Sequence, residues 1–198
     1  MLRLFGLLVL TLLMAFSYAE FNLQLEIKSH NEISNKGYPE HLTGTFTGGF
    51  GEETCRSCHF DYDLNPDGGS LFVSGIPAEL SAGELIDITI TVERDEMGAA
   101  GFQLSARYED GLQAGKFKVG DNDRIMFSDA APDSLQYIQH SNKGTNPSAE
   151  NKTSWTVRWQ APNSIEGPVT FSIAANAANG DQSEFGDYVY AKEFQVSQ

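Results

Sequence analysis

A chain of 198 residues, 40% of them hydrophobic, is long enough to bury one core of ordinary size. Its 27 Asp and Glu against 13 Lys and Arg give a formal net charge of -14, so nucleic acid and anionic membrane surfaces are poor partners. The same charge would steer a basic redox partner towards it, although it serves solubility equally well.

Residues 1–19 read as a signal peptide. Met1-Leu2-Arg3 carries one positive charge, and Leu4 to Phe16 is an apolar stretch of the length of an h-region. Ser17-Tyr18-Ala19 then places a small residue before Glu20, as a cleavage site requires. The run falls short of the roughly 20 apolar residues a bilayer span needs. The mature chain is therefore expected to be exported, periplasmic or extracellular, with no membrane insertion after cleavage. Its oligomeric state is left open.

Residues 20–69 are rich in Gly, Thr, Asn and Glu, with weak periodicity. Phe21 to Ile27 alternates and predicts a short leading strand. Gly37, Gly44, Gly48, Gly49 and Gly51 then punctuate the approach to Cys55, as in an irregular segment wrapped on a larger body.

That segment holds Cys55-Arg56-Ser57-Cys58-His59, which contains both cysteines of the chain. The spacing is that of a c-type haem attachment site. Two thiols three positions apart can bond the two vinyl groups of one porphyrin, and the next histidine can place its imidazole on the iron. Haem is attached to such motifs outside the cytoplasm, in agreement with the signal peptide. Three other readings stay open. A local disulfide suits an oxidising compartment but has no need of His59. A thiol-exchange site belongs after a strand in a βαβ unit, and no such unit is visible. Zinc wants four ligands, and a second C-x-x-C is missing.

If haem is present, the candidates for the distal axial position are His140, His41, His30, Met97 and Met126. His140 ends an apparent strand, Gln136 to His140, and is preferred; Met97 lies in a Gly-rich turn and Met126 in an expected loop. A bis-histidine iron suits electron transfer, and an open position suits ligand binding. A weaker cofactor reading is calcium. Asp63-x-Asn65-x-Asp67-Gly68 matches the first half of an EF-hand loop, but position twelve is Ser74 instead of Glu. Pro66-Asp67-Gly68 is also a sufficient turn signal by itself.

Residues 70–198 read as β structure. Ile86, Ile88, Ile90 and Val92 alternate with polar residues, as do Phe102, Leu104 and Ala106. Trp155, Val157 and Trp159 follow the same rule, then Val169, Phe171, Ile173 and Ala175, then Tyr188 to Val196. Turn signals such as Asp110-Gly111, Ala161-Pro162-Asn163 and Asn179-Gly180-Asp181 separate the runs. About seven short antiparallel strands without helical periodicity predict an all-β sandwich. Both cysteines precede it, so it lacks an inter-sheet disulfide, and both tryptophans are assigned to its core. Asn151-Lys152-Thr153 fits the N-glycosylation pattern, which matters only in a eukaryotic secretory pathway. No G-x-S-x-G or other catalytic constellation is present, so no enzymatic activity is expected.

Several segments together carry a family resemblance. They are Thr47-Gly48-Gly49-Phe50-Gly51-Glu52, Thr54 to Phe60, Ala100-Gly101-Phe102-Gln103-Leu104, Gln136 to His140, Trp155 to Trp159, and Ala174 to Asp181. Their order resembles the bacterial exported proteins called choice-of-anchor V domain proteins, whose sandwich is similar to the reelin-type (reeler) domain. The resemblance covers nearly all of the mature chain. It implies an immunoglobulin-like β-sandwich preceded by a CxxCH segment. Such proteins often end in an anchor or sorting signal, and none is visible after Phe194 to Gln198.

The sequence thus leads to an exported monohaem, c-type cytochrome-like protein on a β-sandwich scaffold. Haem c would be held covalently by Cys55 and Cys58, with His59 and His140 as candidate axial ligands. Electron transfer with a redox partner protein, or haem-linked sensing, would be its role. The alternative is an extracellular adhesion or interaction module whose CxxC is a structural disulfide.

Overall fold

The alternating runs fold into antiparallel strands in the computed structural model, which describes residues 44–128 and 134–197. Among the described residues the strands are β1 (Gly69–Ser74), β2 (Leu85–Arg94), β3 (Ala99–Tyr108), β4 (Lys116–Lys118), β5 (Ile125–Phe127), β6 (Ile138–His140), β7 (Lys152–Gln160), β8 (Val169–Ala178) and β9 (Tyr188–Val196). They form a four-stranded sheet, β1-β2-β7-β4, and a five-stranded sheet, β5-β6-β3-β8-β9. The only helical pieces described are short 3-10 turns. The chain is an all-β antiparallel sandwich, as its alternation predicts. The sequence reading of about seven strands falls short because β4 and β5 have three residues each, too few to show a period. Met126 accordingly lies in a strand, β5, where the sequence reading expects a loop.

Register puts the apolar residues of each strand on one face. Ile86, Ile88 and Ile90 sit opposite Trp159, Val157 and Trp155. On the facing sheet Phe102, Leu104 and Ala106 sit opposite Ala175, Ile173 and Phe171. The two sheets interlock through aromatic rings, with Phe102 and Trp155 centroids 4.8 Å apart and Trp159 edge-on to Phe171 at 5.0 Å. Each buried indole N–H is satisfied: Trp155 donates to the Gly144 carbonyl and Trp159 to that of Ala114.

β3 and β8 are buried on both faces, because the chain before β1 covers the outer side of their sheet. The Phe46 amide donates to the Gln103 side chain at 2.6 Å, and Gln103 donates back to the Gly44 carbonyl at 2.8 Å. Glu52 reaches down to Arg107 and to the Tyr137 hydroxyl, which also bond each other. Burial pushes the Glu52 carboxyl up, against the Thr47 hydrogen bond and the Arg107 charge. Gly49 crosses so close to β8 that a Cβ there would lie 2.2 Å from the Ser172 hydroxyl. Farther along, Asn65 pairs with the edge of β9, its amide donating to Val189 and its side-chain oxygen accepting from Ala191. The signal peptide, the leading strand at 21–27, His30 and His41 lie outside the described residues.

Candidate functional site

The CxxCH run is a short 3-10 turn, Cys55–Ser57. Thr54 caps it by accepting the Arg56 amide on its hydroxyl, and the amides of Cys58 and His59 both donate to the Cys55 carbonyl. Just before the turn the chain doubles back through Gly48, whose φ of 79° only glycine adopts without strain, and Thr47 bridges to Thr54. This loop hangs the motif over one end of the five-stranded sheet. Beneath it is a cavity of about 420 Å³, lined by Cys55, Cys58 and His59 from the turn and by Ala99 to Gln103 from β3. Gln139 and His140 from the end of β6, Asn176 and Ala178 from β8, and Asp187 beyond it also line the cavity.

The fold thus brings His140 to the same cavity as the CxxCH motif. Its ring lies against the backbone of Gly101: a Cβ there would sit 2.4 Å from Cε1 and 2.7 Å from Nε2. Only a residue without a side chain leaves room for the imidazole. Nδ1 is 3.0 Å from both the amide nitrogen and the carbonyl oxygen of Phe102. With its proton on Nδ1 the ring donates to that carbonyl. Burial pushes the imidazole pKa down to about 4; the Phe102 hydrogen bond opposes this and the nearby His59 adds to it. At neutral pH His140 is therefore an uncharged imidazole, the form in which histidine binds metals.

His59, about two-thirds buried, places Nδ1 2.7 Å from Oδ2 of Asp187, whose side chain is fully buried just before β9. Asp187 also accepts from the Asn176 side chain at 3.3 Å and from the Asn179 amide at 3.1 Å. Asn176 is itself buried, and its Oδ1 accepts no hydrogen bond from the described residues.

Cys55 and Cys58 are not bonded to each other in this structure. Cys55 is partly exposed as a residue, yet burial pushes its thiol up to about 12, so at neutral pH it is not the thiolate that exchange chemistry requires. Among the described residues no group of three or more His, Cys, Asp and Glu gathers as a metal site. Asp63 projects fully into solvent, and Asn65 uses its side-chain oxygen to dock on β9. Of the other distal candidates, Met97 is packed in the sandwich core, and Met126, on β5, does not line the cavity.

Sequence reasoning did not find Gly101, Asn176 or Asp187. Gly101 carried a signal, a glycine inside an alternating strand, which often marks a close approach. Asp187, one acidic residue in a loop rich in them, carried none.

Residues 66–179 match the Reeler domain, more than half of the chain. The chain belongs to the Reeler domain family. The match spans His140, Gly101 and Asn176 of this reeler domain, and leaves the CxxCH turn and Asp187 outside it. Among solved structures it resembles the Reelin-N domain of F-spondin, at 19% identity over 72% of this chain and 97% of that one, with a TM-score of 0.46. It also resembles the human F-spondin reeler domain, at 20% identity over 66% and 88% of the two chains, with a TM-score of 0.42. A cohesin module from a Clostridium perfringens family 33 glycoside hydrolase follows, at 12% identity over 65% and 95%, with a TM-score of 0.44. No curated protein matches the chain. Membership in the family backs the interaction-module reading better than the cytochrome reading, since the match carries nothing about haem. Among the described residues no helix is long and apolar enough to cross a membrane.

Proposed function

We propose that this chain is an exported reeler-type interaction module that carries one covalently attached haem c. Family membership supports the module. The haem rests on one observation: His140, remote in sequence, meets Cys55, Cys58 and His59 at a single cavity of about 420 Å³. The donor set fits the group. Two thiols are spaced for the vinyl carbons, Ala99, Ala100, Phe102 and Ala178 offer apolar wall to a flat macrocycle, and each histidine has its Nδ1 engaged, so coordination would run through Nε2.

Haem bound here would supply a one-electron iron couple. The chain's own residues would do the rest. Cys55 and Cys58 would tether the group, Asp187 and Phe102 would orient the imidazoles, and the sandwich edge would exclude water from one side. The role is then electron transfer or haem-linked sensing, with no catalysis by the chain itself. An acidic chain would favour a basic redox partner. The finer kinship with the choice-of-anchor V proteins, which rests on the CxxCH segment, is part of the same proposal.

The test is expression with the signal peptide in a host competent for cytochrome c maturation, followed by a denaturing gel stained for haem. Thioether bonds survive denaturation, so the band stains, and Cys55→Ala with Cys58→Ala abolishes the stain. An unstained wild-type band, from cells that mature a control cytochrome, refutes the haem. A thiol titration then finds no free thiol if the interaction-module reading with a structural disulfide holds.

A further inference from the structure

We infer that Asp187 is the positioning residue for His59: its buried carboxylate fixes the ring so that Nε2 faces the cavity, and it makes His59 the stronger electron donor of the two imidazoles. The consequence at iron rests on the haem reading above. The hydrogen bond itself rests on the protein alone.

The geometry favours a proton on Nδ1 of His59. The Asp187 side chain is fully buried, and its Oδ2 lies 2.7 Å from His59 Nδ1, the length of a charge-assisted bond. With a carboxylate as acceptor and a neutral ring, Nδ1 donates and Nε2 carries the lone pair. The carboxylate cannot turn away. Oδ2 also accepts from Asn176 Nδ2, and Oδ1 accepts from the Asn179 amide, so both oxygens are occupied.

The two histidines are therefore held differently. His140 Nδ1 faces the neutral backbone of Phe102, whereas His59 Nδ1 faces a carboxyl group. A carboxylate on the remote nitrogen raises the basicity of the coordinating one. A more basic ligand favours the higher oxidation state of the metal, so Asp187 lowers the midpoint potential. A carboxylate that merely pinned the β8–β9 loop through Asn179 would leave the His59 tautomer unspecified.

The test has two arms on the full chain. In haem-free wild-type protein, made without maturation machinery, nitrogen-15 NMR at alkaline pH should show His59 protonated on Nδ1. In Asp187→Asn the amide can donate to the ring, and the His59 proton should move to Nε2. In matured protein, Asp187→Asn should raise the midpoint potential. A tenfold change in the ferric-to-ferrous ratio at fixed ambient potential, about 59 mV for one electron, is the size expected. Wild-type His59 carrying its proton on Nε2 overturns the inference, as does a folded Asp187→Asn with both tautomer and potential unchanged. If Asp187→Asn does not fold, the wild-type tautomer decides. If the wild type takes up no haem, the haem reading fails and the tautomer still decides for Asp187.

Discussion

Replacing Gly101 by alanine tests the cavity with a single methyl group. The added Cβ would stand 2.4 Å from Cε1, 2.7 Å from Nε2 and 2.9 Å from Nδ1 of His140, so the ring has to move. It cannot swing freely. Phe102 holds Nδ1, and Gly144 closes on the other end of the side chain, where a Cβ of its own would meet that of His140 at 3.2 Å. Overpacking of this kind costs about 1–3 kcal/mol. Gly101 lies in strand backbone that alanine adopts readily, so the stiffer unfolded chain returns about 0.4–1 kcal/mol. The net expectation is destabilisation of about 1–2 kcal/mol in urea unfolding of the haem-free protein. In matured protein the displaced ring should shift the spectrum from low spin towards high spin and admit carbon monoxide. His140→Ala should do the same while leaving covalent haem in place, and adding it to Gly101→Ala should cost less than the sum of the two, because the clash disappears. A Gly101→Ala protein as stable as wild type, with an unchanged spectrum, would refute the packing argument.

Two further expectations concern stability. His140 titrates near 4 in the folded protein against 6.5 ordinarily, so the neutral ring is favoured by the fold. Its contribution is complete above pH 6.5 and is lost as pH falls towards 4, about 3 kcal/mol in all; urea unfolding of haem-free wild type against His140→Ala across that window measures it, and parallel pH profiles would exclude it. Glu52→Ala leaves the buried Arg107 guanidinium without its carboxylate and should cost about 3–5 kcal/mol in the same assay, whereas a loss below about 1 kcal/mol would show that the guanidinium reaches solvent instead.

The sandwich was legible because its long strands keep one face apolar. Ile88, Phe102, Leu104, Trp155, Val157 and Phe171 are all essentially inaccessible. Less legible was the fate of the other face of β3 and β8. Gln103, Ser105 and Ser172 are the polar members of the alternating runs, yet all are buried, Gln103 under Gly44 and Phe46 and Ser172 under Gly49. Alternation reports polarity and cannot report what covers a polar face. His140 was readable as a residue type at a strand end, but its meeting with His59 depends on how the irregular segment folds back, which no period encodes. Asp187 was illegible for the same reason, since its role is defined by a side chain on another segment.

That dependence bears on how the module and the haem combine. The Reeler match supplies the sheet edge, Gly101, His140 and Asn176, while the thiols and His59 arrive on the segment before it and Asp187 after it. A reeler sandwich without the leading segment would expose the outer sides of β3 and β8 and would have no cavity at their end. Conversely, a CxxCH segment without the sandwich would lack His140 and the sheet edge that holds it. If haem is bound, the polar anchors at Gln103, Arg107 and Asn176 would therefore serve binding as well as stability. They hold the motif over the sheet, and the distance between His59 and His140 is set by how firmly they do so. Loosening an anchor remote from the cavity, as Glu52→Ala does, should then weaken axial ligation by His140 as well as the fold, visible as a high-spin fraction in matured protein that remains folded. A purely low-spin spectrum in that variant would mean that the CxxCH turn is positioned locally, by Thr54 and Asp187, without help from the anchors.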